Sequence, residues 1–92
     1  MKYNADFFIE GFTDIPDKFW CTGVDDNGKW KFCALGHLGI PSPEAKALSY
    51  LLIKAVGDGA FPINDGLVKK YSQPTPKARI LAALEDAKKK GL

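Results

Sequence analysis

Two stretches of this chain begin in the same way, and that shared start limits the fold more than any other feature. Ser42-Pro43-Glu44 and Thr75-Pro76-Lys77 each put a side-chain oxygen where it can accept from the orphan N–H groups of a helix, with proline at the first helical position. An apolar stripe follows each start: Ala45, Leu48, Leu51, Leu52 and Ala55 in the first, and Ile80, Ala83, Leu84 and Ala87 in the second. Gly57 and Gly91 stand where a left-handed cap closes such helices. Each stripe must be buried, and 92 residues provide one core in which to bury it. The expectation is a single domain over residues 1–92. A third, shorter helix is expected behind Asn4, with Phe8, Phe12 and Ile15 on one face and Pro16 closing it.

The period changes between residues 20 and 34. Trp20, Thr22 and Val24 alternate with Cys21 and Gly23, Asp25-Asp26-Asn27-Gly28 supplies turn chemistry, and Trp30, Phe32 and Ala34 alternate with Lys29, Lys31 and Cys33. This pattern predicts a β-hairpin in which Asp25 faces Lys29, Thr22 faces Phe32 and Cys21 faces Cys33. Trp20, Thr22, Val24, Trp30 and Phe32 then share the core face, leaving Cys21, Gly23, Lys29, Lys31 and Cys33 on the other. Residues 34–39 carry a weak helical turn signal with Leu35 and Leu38 inward. Phe61 and Ile63, with Pro62 and Asn64-Asp65-Gly66, suggest a short edge strand leading into a turn. The expected fold class is therefore α+β: a β-hairpin, extended to a three-stranded antiparallel sheet if the edge strand joins it, packed with three helices.

Charge and hydropathy exclude several roles. A net charge of +2 is too mild to name nucleic acid or a membrane as partner. The distribution is lopsided: through Gly66 there are six basic and nine acidic residues, net −3, whereas from Leu67 onward there are seven and two, net +5. Lysines on the last turn of a helix answer its dipole without any partner, so the asymmetry is weak evidence for an anionic ligand. The two strong helices lie too far apart for a helix-turn-helix, and no ribonucleoprotein motif is present, which argues against nucleic acid. Neither a transmembrane run nor a signal peptide is evident, giving the expectation of a cytoplasmic protein.

Cys21, Cys33, His37, Asn64 and Asp65 are the residues that packing alone does not demand. Cys21, Cys33, His37 and Asp65 could ligate zinc, although Cys-x11-Cys-x3-His lacks the tight knuckle of common zinc motifs. Alternatively Cys33 is a nucleophile, His37 its base, and Asn64 or Asp65 the orienting group of a thiol-dependent enzyme. In the third and favoured reading the cysteines are small packing residues, His37 bonds a backbone carbonyl, and Asn64-Asp65-Gly66 is a turn. If the chain binds a ligand, Cys33, His37, Asn64 and Asp65 are the polar residues placed at the site, with Lys29 and Lys31 at its rim. No cofactor is implied.

The succession Trp20-Cys21-Thr22-Gly23, Cys33-Ala34-Leu35-Gly36-His37, Asn64-Asp65 and Thr75-Pro76-Lys77-Ala78-Arg79-Ile80-Leu81 spans nearly the whole chain. It resembles a family of small uncharacterised proteins of bacteria and their phages. The resemblance implies a mobile-element origin and an accessory role: stoichiometric binding of a host protein or a small anionic or nucleotide ligand, as an inhibitor or sponge of the counter-defence type. It also implies a homo-oligomer that builds its pocket between subunits.

Overall fold

The elements of the protein, taken from a computed structural model that describes residues 3–22, 32–39 and 42–92, are helical. They run α1 (Ala5–Thr13), a 3-10 turn (Asp17–Phe19), α2 (Ala34–His37), α3 (Pro43–Val56), α4 (Ala60–Asn64) and α5 (Pro76–Lys89). Each long helix starts on the residue the sequence nominates. Asn4 accepts from the Phe7 N–H, Ser42 from Ala45 and Thr75 from Ala78, at 2.9, 3.1 and 3.1 Å. Gly57 closes α3 in the left-handed region at φ 84°.

Helix α5 is the centre of the assembly, packing against α1, α3, α4 and α2. Ile80, Ala83, Leu84 and Ala87 are completely buried and meet Phe8, Phe12, Leu48 and Leu52 in one core. The return from α4 to α5 is pinned by Tyr71, whose hydroxyl donates to Asp86 Oδ2 at 2.7 Å. That bond, with Lys70 at 3.3 Å, holds the Asp86 carboxyl below its usual range.

The β elements require correction. Among the described residues there is no strand, and the α+β expectation gives way to an arrangement of five helices. Thr22–Phe32 and Cys21–Cys33 pairing is replaced by a single parallel bridge between Trp20 and Phe32. In it the Phe32 N–H donates to Phe19 O at 2.9 Å and Phe32 O accepts from the Cys21 N–H at 3.0 Å. Trp20 is buried as expected, but Thr22 is exposed, and Cys33, assigned to the less apolar face, is inside. The proposed turn at residues 25–28, together with Val24, Lys29, Trp30 and Lys31, lies outside the described residues.

The expected edge strand at residues 59–66 is α4 and its cap. Pro62 is the third residue of that helix, where the missing N–H would have had no intrahelical acceptor, so it does not break the turn. The Leu67 N–H reaches back to Pro62 O at 2.9 Å and the Gly66 N–H to Ile63 O at 3.2 Å, with Gly66 at φ 78°. This is a Schellman closure. Asn64-Asp65-Gly66 thus ends a helix rather than turning a hairpin.

The C-terminal surplus of cations is largely consumed by the fold. Lys70 pairs with Asp86 and Lys88 with Asp6. Lys77 donates to Thr13 O at the end of α1, and Lys90 to Ala55 O in the last turn of α3. Two of these sites are helix C-termini, where a cation opposes the dipole.

Leu84 is the most direct test of the core. Leu84→Ala is expected to cost about 2–5 kcal/mol in chemical denaturation, and a loss under about 0.5 kcal/mol, the surface range, would show that α5 buries a different face.

Candidate functional site

Asn64 ends α4 and is completely buried. Its side chain is saturated. Oδ1 accepts from the Ala34 N–H at 3.1 Å, while Nδ2 donates to Cys21 O at 2.9 Å and to Asp65 Oδ1 at 3.0 Å. The partners determine which way the amide points, because Ala34 offers only a donor and Cys21 only an acceptor there. Ala34 is the first residue of α2, whose N-cap Cys33 makes no side-chain capping bond. Asn64 therefore supplies from another helix the cap that the local sequence lacks.

The backbone of Asn64 is used as well. Arg79, on the buried face of α5, donates to Asn64 O from Nε at 3.1 Å and Nη2 at 2.8 Å, and to Gln73 O from Nη1 at 2.7 Å. Gly66 lines this contact, since a Cβ there would meet Arg79 Cζ at 3.4 Å. Sequence reasoning missed Arg79. The signal was available: Arg79 stands four residues before Ala83, on the stripe that also carries Ile80 and Leu84, and a cation at such a position must be paid for by acceptors.

The other expected site residues fall around this node. Cys33 is 1% exposed, between Phe32 and α2. Asp65 caps α4 and accepts from Asn64. His37 ends α2 with its ring 4.7 Å from Trp20 and 5.3 Å from Phe32, centroid to centroid. Nδ1 donates to the Phe19 carbonyl, and Nε2 is buried with no hydrogen-bond partner. Burial holds the imidazole below its ordinary value against the opposing pull of the Phe19 carbonyl. Of the set Cys33, His37 and Asn64 or Asp65, the Cys33 thiol is enclosed, the Asn64 side chain is held by the Ala34 N–H, the Cys21 carbonyl and Asp65, and the His37 Nδ1 proton goes to the Phe19 carbonyl. Among the described residues no three His, Cys, Asp or Glu side chains converge as a metal site requires, so Cys21, Cys33, His37 and Asp65 do not form the zinc cluster. Lys29 and Lys31 lie outside the described residues.

Of the expected site residues, His37 alone lines the concave surfaces among the described residues, one of them a shallow pocket over Ile15, Phe19 and Phe32. A pocket of about 450 Å³ opens between α1 and α2 over Phe8, Phe12, Ile15 and Leu38, with His37 in its wall. A second groove, about 410 Å³, runs along α3 over Ala47 and Leu51, flanked by Tyr3, Tyr50, Lys46 and Lys54.

Asn64→Ala is expected to cost about 2–4 kcal/mol in denaturant melts, because it strands the Ala34 N–H and the Cys21 carbonyl in the interior. His37 adds a pH dependence whose sign follows from its depressed proton affinity. Below the ordinary imidazole value of 6.5 the unfolded chain binds more protons than the folded one. Stability is therefore complete above that value and is lost as the pH falls through the lower folded-state value. Thermal melts from about pH 7 to about pH 5 should show a shallower loss in His37→Phe than in the parent. Equal slopes would remove His37 as the cause.

Compared with protein-family models, curated proteins and solved structures, the chain matches none.

Proposed function

We propose that this protein is a non-enzymatic binding protein that acts stoichiometrically, engaging an acidic segment of a partner protein through the groove on α3. The observation that carries the reading is a line of side chains, Lys46, Tyr50 and Lys54, spaced four residues apart along one side of that helix. Tyr50 is 67% exposed, and neighbouring Ile53 is 56% exposed. An aromatic ring over an apolar floor, with ammonium groups at both ends, suits an apolar side chain flanked by carboxylates. Neither lysine is in an ion pair among the described residues, in contrast to Lys70 and Lys88. The resemblance to small bacterial and phage proteins favours a host protein as the partner, bound as an inhibitor binds.

Catalysis is the weaker reading because its nucleophile, Cys33, is enclosed. Iodoacetamide should modify Cys33 only as fast as the chain unfolds, and rapid labelling of the folded protein would favour a thiol enzyme instead. The docking surface is tested with the copolymer poly(Glu,Tyr) as probe. It is expected to bind the parent, more weakly at high salt, and at least about tenfold more weakly to Lys46→Glu/Lys54→Glu. Binding unchanged by the double substitution, or equal binding of polylysine, would overturn the assignment.

A further inference from the structure

We propose that a second copy of this chain covers the α3 groove, in a two-fold symmetric dimer that sets the exposed side of α1 on one protomer against α3 of its partner. The inference rests on the reading of that groove as a docking surface for an acidic segment, and it names one such segment, the chain's own first helix.

Tyr3, Phe7, Glu10 and Asp14 are four, three and four residues apart, the spacing of one side of a helix. The structure keeps them in line: Phe7, Glu10 and Asp14 edge the same pocket, and the Tyr3 ring meets Phe7 edge-on at 5.1 Å. Phe7 is 43% exposed, and Glu10 and Asp14 are exposed with no ion pair among the described residues. Tyr3 also lines the α3 groove beside Lys46, Tyr50 and Lys54, and its hydroxyl donates to Glu44 Oε1 at 3.1 Å, which ties it to the first turn of α3. The row on α1 and the row on α3 therefore join at Tyr3 into one strip. Ammonium groups stand at one end, the rings of Tyr50, Tyr3 and Phe7 in the middle, and carboxylates at the other.

Such a strip is complementary to itself after a half turn, which is the condition for an isologous contact. A two-fold axis through the middle stacks aromatic side chains on their own copies, the residue type that carries most contact energy at interfaces. It also brings the Glu10 and Asp14 carboxylates of each protomer to the Lys46 and Lys54 ammonium groups of its partner, twice over. Two copies laid in the same direction would set like charges together, so charge selects the antiparallel arrangement. The dimer and an acidic segment of another protein then compete for the same two lysines, and partner binding requires the dimer to open.

Sedimentation velocity tests the dimer. The parent is expected to sediment as a dimer that shifts toward monomer at high salt. Glu10→Lys/Asp14→Lys and Lys46→Glu/Lys54→Glu should each dimerise at least about tenfold more weakly, because each leaves a strip of one sign. All four residues are exposed, so both variants should retain the parent's circular dichroism. An equimolar mixture of the two variants is the deciding sample: every contact again joins opposite charges, so a 1:1 heterodimer and nothing larger is expected. A parent that stays monomeric, variants that dimerise as the parent does, or a mixture that stays monomeric would overturn the dimer. Assemblies of more than two chains would overturn the two-fold arrangement. Added poly(Glu,Tyr) should split the parent dimer, and copolymer that binds without splitting it would show that the dimer uses another face. Copolymer that binds a parent already monomeric overturns the dimer alone and leaves the groove reading intact. Copolymer that binds neither the parent nor Glu10→Lys/Asp14→Lys overturns the groove reading, while the mixture decides the dimer by itself.

Discussion

The buried amide of Asn64 and the guanidinium of Arg79 hold the remainder of this structure in register. Through them, segments 30, 43 and 15 residues apart in sequence are joined by hydrogen bonds: α4 to the start of α2, α4 to Cys21, and α5 to the end of α4. A domain of this size has a small core, and long-range ties of this kind take the part that disulfides or metals play in other small proteins. The Asn64 amide and all three Arg79 nitrogens have partners, which is the condition for a buried network to specify one arrangement rather than weaken the core, while Gln73 Oε1 beside them is buried without one. Arg79 carries its charge into the interior without a carboxylate. Carbonyl oxygens at the C-terminal end of α4 and at Gln73 receive it instead, where peptide dipoles point their negative ends.

That arrangement also explains which charges are left for other uses. Five of the seven cations from Lys69 onward are taken up, by Asp86, Asp6, Thr13, Ala55 and Asn64. Lys46 and Lys54 on α3, also without an ion pair among the described residues, lie in the half of the chain whose net charge is negative. Net charge by segment counts charges without knowing which are already paired. Two of the concave surfaces among the described residues differ in charge: an apolar groove on α3 edged by Lys46 and Lys54, and a pocket between α1 and α2 edged by Glu10 and Asp14.

Local signals and tertiary context divide sharply along the chain. Asn4, Ser42 and Thr75 start their helices in the structure as they do on paper, and the α5 stripe is buried residue for residue. These features rest on interactions within four residues, so no distant contact was needed to read them. Residues 60–64 were misread because five residues are too few to distinguish period 3.6 from period 2, and because proline suggested an edge strand. The Trp20–Phe32 bridge depends on the chain returning in parallel, a choice the alternation of residues on either side does not encode.

The candidate site shows the same division. Cys33, His37, Asn64 and Asp65 were singled out as residues that packing did not require, and two of them, Asn64 and Asp65, do share one hydrogen-bonded node. Sequence by itself determined where three helices begin, which faces they bury and that 92 residues must build one core, since capping and periodicity are local physics. Only the tertiary structure decided that Asn64 is a cap for α2 rather than a ligand, that Arg79 is buried and that His37 keeps an unpaired nitrogen. A polar group's role depends on which donors and acceptors the fold brings within about 3 Å of it, and those partners come from parts of the chain that no local pattern connects.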